Sequence, residues 1–385
     1  MIKIARYLKK KWKTAVPALL ILFSVLLNLA GWISTGFCDF YAAHIFPVWV
    51  ETYGRLTGLF PFSVGEILLY LAAAFTVLLV LWATLQLVLW LLHRRGGRSF
   101  RLFGVYGTAY FFVFGVVCLI MTLNCFLLYH VSPLYERFRP GEAGREQYGA
   151  EEIGALRDYV VEQANALAAV MERDAQGCLV YGRDMKEQAK AQMRRLGRTI
   201  PCLKGYYPDP KPLWASEFFS QQYIMGYYFP FSMEANYNDI MYEINLPTTF
   251  CHELSHLKGF ILEDEANFIG YLACVDAEDD FFRYSAFLSV IGYLDRDFLR
   301  AVGKDSGAYL AHPAISRQVI ADDIFLTGET WEAVEEAALI RTETVKEVSN
   351  TFTETTLVLN GVQDGRISYS RVVDLLLKYY DGILY

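Results

Sequence analysis

Three uncharged apolar runs constrain this chain more than any other feature. Residues 14–34 (TAVPALLILFSVLLNLAGWIS), 67–92 (ILLYLAAAFTVLLVLWATLQLVLWLL) and 102–129 (LFGVYGTAYFFVFGVVCLIMTLNCFLLY) contain no Asp, Glu, Lys or Arg. About 20 apolar helical residues cross a hydrocarbon core of about 30 Å. Lipid offers no partner to an open backbone, so each run must be a closed helix. A buried core helix can be equally apolar, but three such runs before residue 130 read as membrane spans. The first reads as an uncleaved anchor. It is long for a signal-peptide core, and Gly31-Trp32-Ile33 is not a small-residue cleavage site.

The flanks orient the spans. Residues 1–13 carry six Lys/Arg, and HRRGGRSFR after the second run carries four Arg. The loop at 35–66 has only Arg55 against Asp39, Glu51 and Glu66. The positive-inside rule then places the N-terminus in the cytoplasm and everything after the third span outside a cytoplasmic (inner) membrane. Residues 1–130 have a net charge of +8, which leaves −15 for the remainder of a chain whose total is −7. So acidic a domain is not a nucleic-acid binder; the bilayer and a peptide or protein are the expected partners. None of the seven cysteines forms a Cys-x-x-Cys pair. Cys178 and Cys202 would both lie outside, where they could pair, but their spacing does not require it.

Three parts follow: an anchor at 1–130, a Pro- and Gly-containing linker at 131–148 and a domain at 149–385. The 35–66 loop is aromatic, suited to lie at the membrane surface or pack beneath the domain. Helical periodicity covers 151–173, 183–197, 264–300, 313–325, 329–349 and 368–380, whereas 214–246 is aromatic and β-prone, broken by Gly226 and Pro230. The fold class is therefore α+β, mostly helical, with a small sheet.

The chemistry concentrates at residues 250–268, FCHELSHLKGFILEDEANF. Residues four apart share a helix face, so His252 and His256 can hold one zinc ion. Zinc lowers the pKa of a water it binds, and Glu253 is placed to take that proton. Pro247, Thr248 and Thr249 supply a helix start, and Gly259 a helix end. A catalytic zinc takes a third protein ligand. Glu263 is the preferred choice, Glu265 competes, and His312 is a remoter alternative.

The pattern resembles the thermolysin-like peptidases (gluzincins), in which a second helix supplies a glutamate ligand and, four residues on, an Asp or Asn that supports a histidine. That resemblance gives Glu263 the ligand role and Asn267 the supporting one, in a zincin-like domain. The connection here is shorter than in thermolysin. Its glycine is reminiscent of the metzincins, but Leu262 stands where those have their third ligand. Zincins bind substrate along an edge strand, so residues 229–238 could supply that edge, with Glu234, Asn236 and Asn238 either lining the cleft or serving as ordinary strand positions. Tyr369 is a candidate oxyanion donor, with a buried structural tyrosine the simpler reading.

FPFSVGE, FPFSMEAN, LPTTFCHELSHLKGF, EDEANF and LVLNGVQDGRISYSRVVDLLLKYY together resemble an uncharacterised family of bacterial membrane proteins known as a domain of unknown function. The resemblance implies a membrane-anchored zinc metallopeptidase. A sensor or a catalytically silent binding protein on the same scaffold is the alternative.

Overall fold

The computed structural model describes residues 2–92, 97–138, 145, 147–362 and 371–385. Three helices, Ile2–Ile33, Val64–Leu91 and Gly97–Asn124, hold most of the apolar runs and make this a membrane protein; the third run ends in a 3-10 turn at Phe126–His130. The first and third pack closely. A side chain at Gly115 would meet the backbone of Pro17 at 3.0 Å, and Asn28 Nδ2 donates to Thr122 Oγ1 at 2.8 Å. Small residues and interhelical hydrogen bonds suit lipid, where apolar burial alone gives helices no reason to associate. The second span meets the third through Tyr106, whose hydroxyl donates to Phe75 O at 2.7 Å.

The loop between the first two spans is not an appendage. Its helix Thr35–His44 is capped by Ser34 and, with the segment after it, buries Cys38, Tyr41, Phe46 and Val50 in the domain's core. The start of the expected linker also joins the core. Ser132 donates from both N and Oγ to Asp39, and the helix Leu134–Phe138 buries Leu134.

The domain packs Ala150–Ala168, Met185–Thr199, Leu246–His256, Glu263–Val275, Asp280–Ala301 and Val372–Tyr380 around one core. Two expected long helices are broken. Residues 264–300 form two helices because Asp279 caps the second, accepting from Phe281 N at 2.9 Å. Residues 329–349 fall on Gly328–Ala337 and Thr342–Leu359. Arg157, 1% exposed, binds Asp295 at 2.9 Å and Pro313 O at 2.7 Å, tying the first domain helix to Asp280–Ala301.

The aromatic stretch forms a three-stranded sheet: β1 (Lys211–Leu213), β2 (Gly226–Phe229) and β3 (Glu234–Asn238), in the order β1-β3-β2. β1 runs parallel to β3 and β2 antiparallel, with Tyr227 opposite Asn236. All seven cysteines are free, Cys178 and Cys202 included. Tyr369 lies outside the described residues, as does Ser368 at the start of the expected final helix.

Candidate metal centre

The motif helix, Leu246–His256, carries both histidines on one face. Pro247 lies in its first turn and Asn245 precedes it. Neither threonine caps the helix: Thr248 sits inside it, against Ser285 Oγ at 3.1 Å. Gly259, at φ +83°, takes the left-handed turn that ends the helix. That turn presents Phe260 O to His256 Nδ1 at 2.6 Å. The chain then enters the carboxylate helix, Glu263–Val275, whose first residue returns to the histidines.

The geometry fixes both imidazoles. A carbonyl oxygen only accepts, so His256 donates from Nδ1. His252 Nδ1 likewise donates to Asn267 Oδ1 at 2.9 Å. Each neutral ring then leaves Nε2 as a bare lone pair, and these two nitrogens face each other at 3.2 Å. Glu263 Oε2 lies 3.2 Å from His252 Nε2. Ligand atoms of His252, His256 and Glu263 all fall within 4.8 Å of one another. Lone pairs so close repel unless a proton or a cation lies between them. Burial opposes charge on His252, but Glu263 and Glu253 outweigh it and raise its pKa. Burial, with His252 beside it, pulls His256 down to about 4. Between their Nε2 atoms the pair thus shares at most one proton near neutral pH, and the same three donors could instead hold a divalent cation.

Glu253 sits beside the cluster, 3% exposed, with Oε1 3.9 Å from His252 Nε2. Its Oε2 is buried with no hydrogen-bond partner among the described residues. Burial pushes its carboxyl up to about 8, with Glu263 adding to the rise and His252 opposing it. A nearby cation draws such a group back toward the carboxylate. Gly226 backs Glu253 so closely that a Cβ there would stand 2.4 Å from Oε1. In the sequence Gly226 reads only as a strand breaker; the signal for its role is a glycine inside a β-prone run, which can also mark a close approach.

Other expected residues lie elsewhere. Glu265 accepts from Leu134 N at 2.6 Å and caps that short helix, and burial raises its pKa to about 7. His312 pairs through Nδ1 with Asp158 at 2.7 Å, against Phe298. Glu234, Asn236 and Asn238 are on the central strand and buried, so the edge beside Glu253 is β2 rather than theirs. Asn238 Nδ2 bonds Ser220 Oγ at 2.7 Å, and Asn236 Nδ2 bonds Tyr227 O at 3.1 Å.

Asn267 sets the tautomer and tilt of His252, and such partners typically contribute about 10- to 100-fold in metal affinity. Asn267→Ala is expected to weaken zinc binding by about that factor while leaving the fold intact, as read by competition with a chromophoric chelator. Unchanged affinity would remove Asn267 from the site.

The fold and the cluster define a class: a three-span membrane protein whose helical domain gathers two histidines and a glutamate beside a small sheet. The model of the family described as "Protein of unknown function (DUF3810)" matches residues 41–377, and the chain belongs to that family. No curated protein and no solved structure matches it.

Proposed function

We propose that the chain is a membrane-anchored zinc metallopeptidase of zincin-like fold, hydrolysing peptide bonds outside the cytoplasmic membrane. The observation that most supports this reading is the pair of bare Nε2 atoms 3.2 Å apart, each fixed by an acceptor on its own Nδ1, with Glu263 beside them. Support for the peptidase chemistry comes from Glu253 next to that cluster and from a sheet edge leading to it. Support for the outer location comes from the basic segments at 1–13 and 93–101.

When bound, zinc supplies a Lewis acid that polarises a carbonyl and lowers the pKa of water. Asn267 and Phe260 O hold the two imidazoles as neutral donors, and Glu263 supplies the negative charge. The side chains of His252 and Glu263 are 15% and 27% exposed, so one side of the cluster stays open to substrate. Glu253 takes the proton of the attacking water and passes it to the departing amine. Its enclosure by Gly226 keeps the carboxylate aimed at one place.

The test is metal content and hydrolysis by the full chain, purified in detergent without chelators. About one zinc per chain is expected, lost on His252→Ala or His256→Ala, with chelator-sensitive cleavage of a mixed peptide pool. A metal-free protein that takes up no added zinc would sink the proposal.

A further inference from the structure

We infer that the substrate is a polypeptide anchored in the same bilayer and cut within a few residues of where it leaves the membrane. This inference rests on the peptidase reading above and concerns what that site accepts. It comes from where β2 begins and ends.

At one end of β2, Gly226 lies against Glu253. At the other, Phe229 lies against the first turn of the second span, so closely that a Cβ at Gly65 would stand 2.4 Å from its ring. The next carbonyl, Pro230 O, accepts from Asn124 Nδ2 at 2.8 Å, and Tyr228 Oη donates to Asn124 O at 3.2 Å. Asn124 ends the helix of the third span. The strand therefore rests on the domain-side ends of two spans. Gly226 and Phe229 are three steps apart, about 10 Å at about 3.3 Å per residue. A chain paired along β2 would pass from the bilayer edge to Glu253 in about three residues.

The Gly226 end of β2 is its accessible end: Gly226 is half-buried and Tyr227 exposed, whereas Tyr228 and Phe229 are buried. β3 covers one side of β2, and among the described residues no strand covers the other. Asn238 N donates to Met225 O at 2.8 Å, which sets the alternation of the antiparallel ladder. Tyr227 and Phe229 then bond to β3, whereas Gly226 and Tyr228 turn their N–H and C=O groups outward. An extended peptide uses such groups to add a strand.

The surroundings mark this level as membrane surface. Leu59, on the loop entering the second span, is 77% exposed, and Trp214 is 58% exposed. Trp214 N is held by Glu66, in the first turn of that span, at 2.8 Å. Exposed apolar and aromatic residues around span ends suit the headgroup layer. Tyr228, whose hydroxyl reaches Asn124 O at the end of the third-span helix, has its ring 5.8 Å from that of His256, so the cluster itself lies near that level. A soluble peptide would have to enter the headgroup layer to reach β2. A bilayer-anchored chain is already there, at high effective concentration.

The experiment compares newly formed protein termini in membranes of cells producing the full chain with those from cells producing Glu253→Gln. Termini that depend on Glu253 are expected within about ten residues of a span or of a lipid-modified N-terminus, a reach of about 35 Å when extended. The same data show which kind of anchor is used. The sequence cut most strongly is then placed in a single-span reporter, separated from the span by about 5 or about 30 residues. Cleavage is expected to fall about tenfold or more with the longer spacer, and further when the segment is released as a soluble peptide. Equal cleavage of all three forms overturns the inference and leaves the peptidase reading standing. No Glu253-dependent terminus in any protein removes the peptidase reading, and the inference with it.

Discussion

Glu253→Gln is expected to reduce peptide hydrolysis by about 10²- to 10⁴-fold while zinc stays bound, because positioned proton transfer typically contributes that much. Glutamine matches glutamate in shape, so it fits the space that Gly226 leaves open. It cannot take a proton from water at neutral pH. The side chain is 3% exposed with one oxygen lacking a partner among the described residues, and burial already disfavours its charged form, so a neutral amide of the same shape is not expected to cost the fold. Single-turnover cleavage and metal content, measured on the same preparation, separate the outcomes. Full activity in the variant shows that Glu253 is not the base. Loss of both zinc and activity shows that it acts as a ligand or a structural support.

Glu234→Ala is expected to destabilise the protein by about 3–5 kcal/mol, the usual cost of leaving one charge of a buried pair alone. Glu234 is 2% exposed and pairs with Lys211, itself 3% exposed. It also accepts from Val64 N at 3.2 Å and Gly65 N at 2.6 Å, at the start of the second span. A carboxylate there satisfies amides that the helix leaves unpaired and complements its dipole. Lys211 Nζ donates further to Thr57 O at 2.7 Å, so removing Glu234 strands the lysine and two amides together. Against a total stability of about 5–15 kcal/mol, the loss should appear as poor yield and a lower unfolding temperature in detergent. The double change Glu234→Leu with Lys211→Met is expected to recover part of it by removing both charges. If Glu234→Ala alone melts with the wild type, the sheet is not held to the spans through this pair.

That pair shows why the role of β3 could not be read from residues 229–238 alone. Alternating polar residues at 234, 236 and 238 suit a cleft-lining edge or ordinary strand positions equally, and the sequence leaves both open. In the fold they are the polar interior of a central strand, joined to Lys211, Tyr227 O and Ser220. Strand order depends on which segments meet, and β1 reaches β3 only through the tertiary arrangement. The choice between Glu263 and Glu265 is of the same kind. Two residues apart on a helix, they point about 200° apart, so one faces the histidines and the other cannot. Which one faces them was decided by the angle of the turn at Gly259 and by Leu134, whose amide occupies Glu265 from 131 residues away in sequence.

What the sequence determined by itself is what short-range physics controls. The length and apolarity of three runs require spans. The four-residue spacing of His252 and His256 puts them on one helix face, and that of Glu263 and Asn267 does the same on the next. The glycine at 259 permits the turn between them. The tertiary structure alone decided that β2 is the edge, that Gly226 yields its side-chain volume to Glu253, and that the loop at 35–66 and residues 131–138 join the core. It alone set the sheet on the ends of the second and third spans. Each of these joins groups separated by tens to hundreds of residues, such as Gly65 with Glu234 and Asn124 with Pro230. Local periodicity carries no information about such meetings; they arise when buried polar groups must find partners and apolar faces must be covered together.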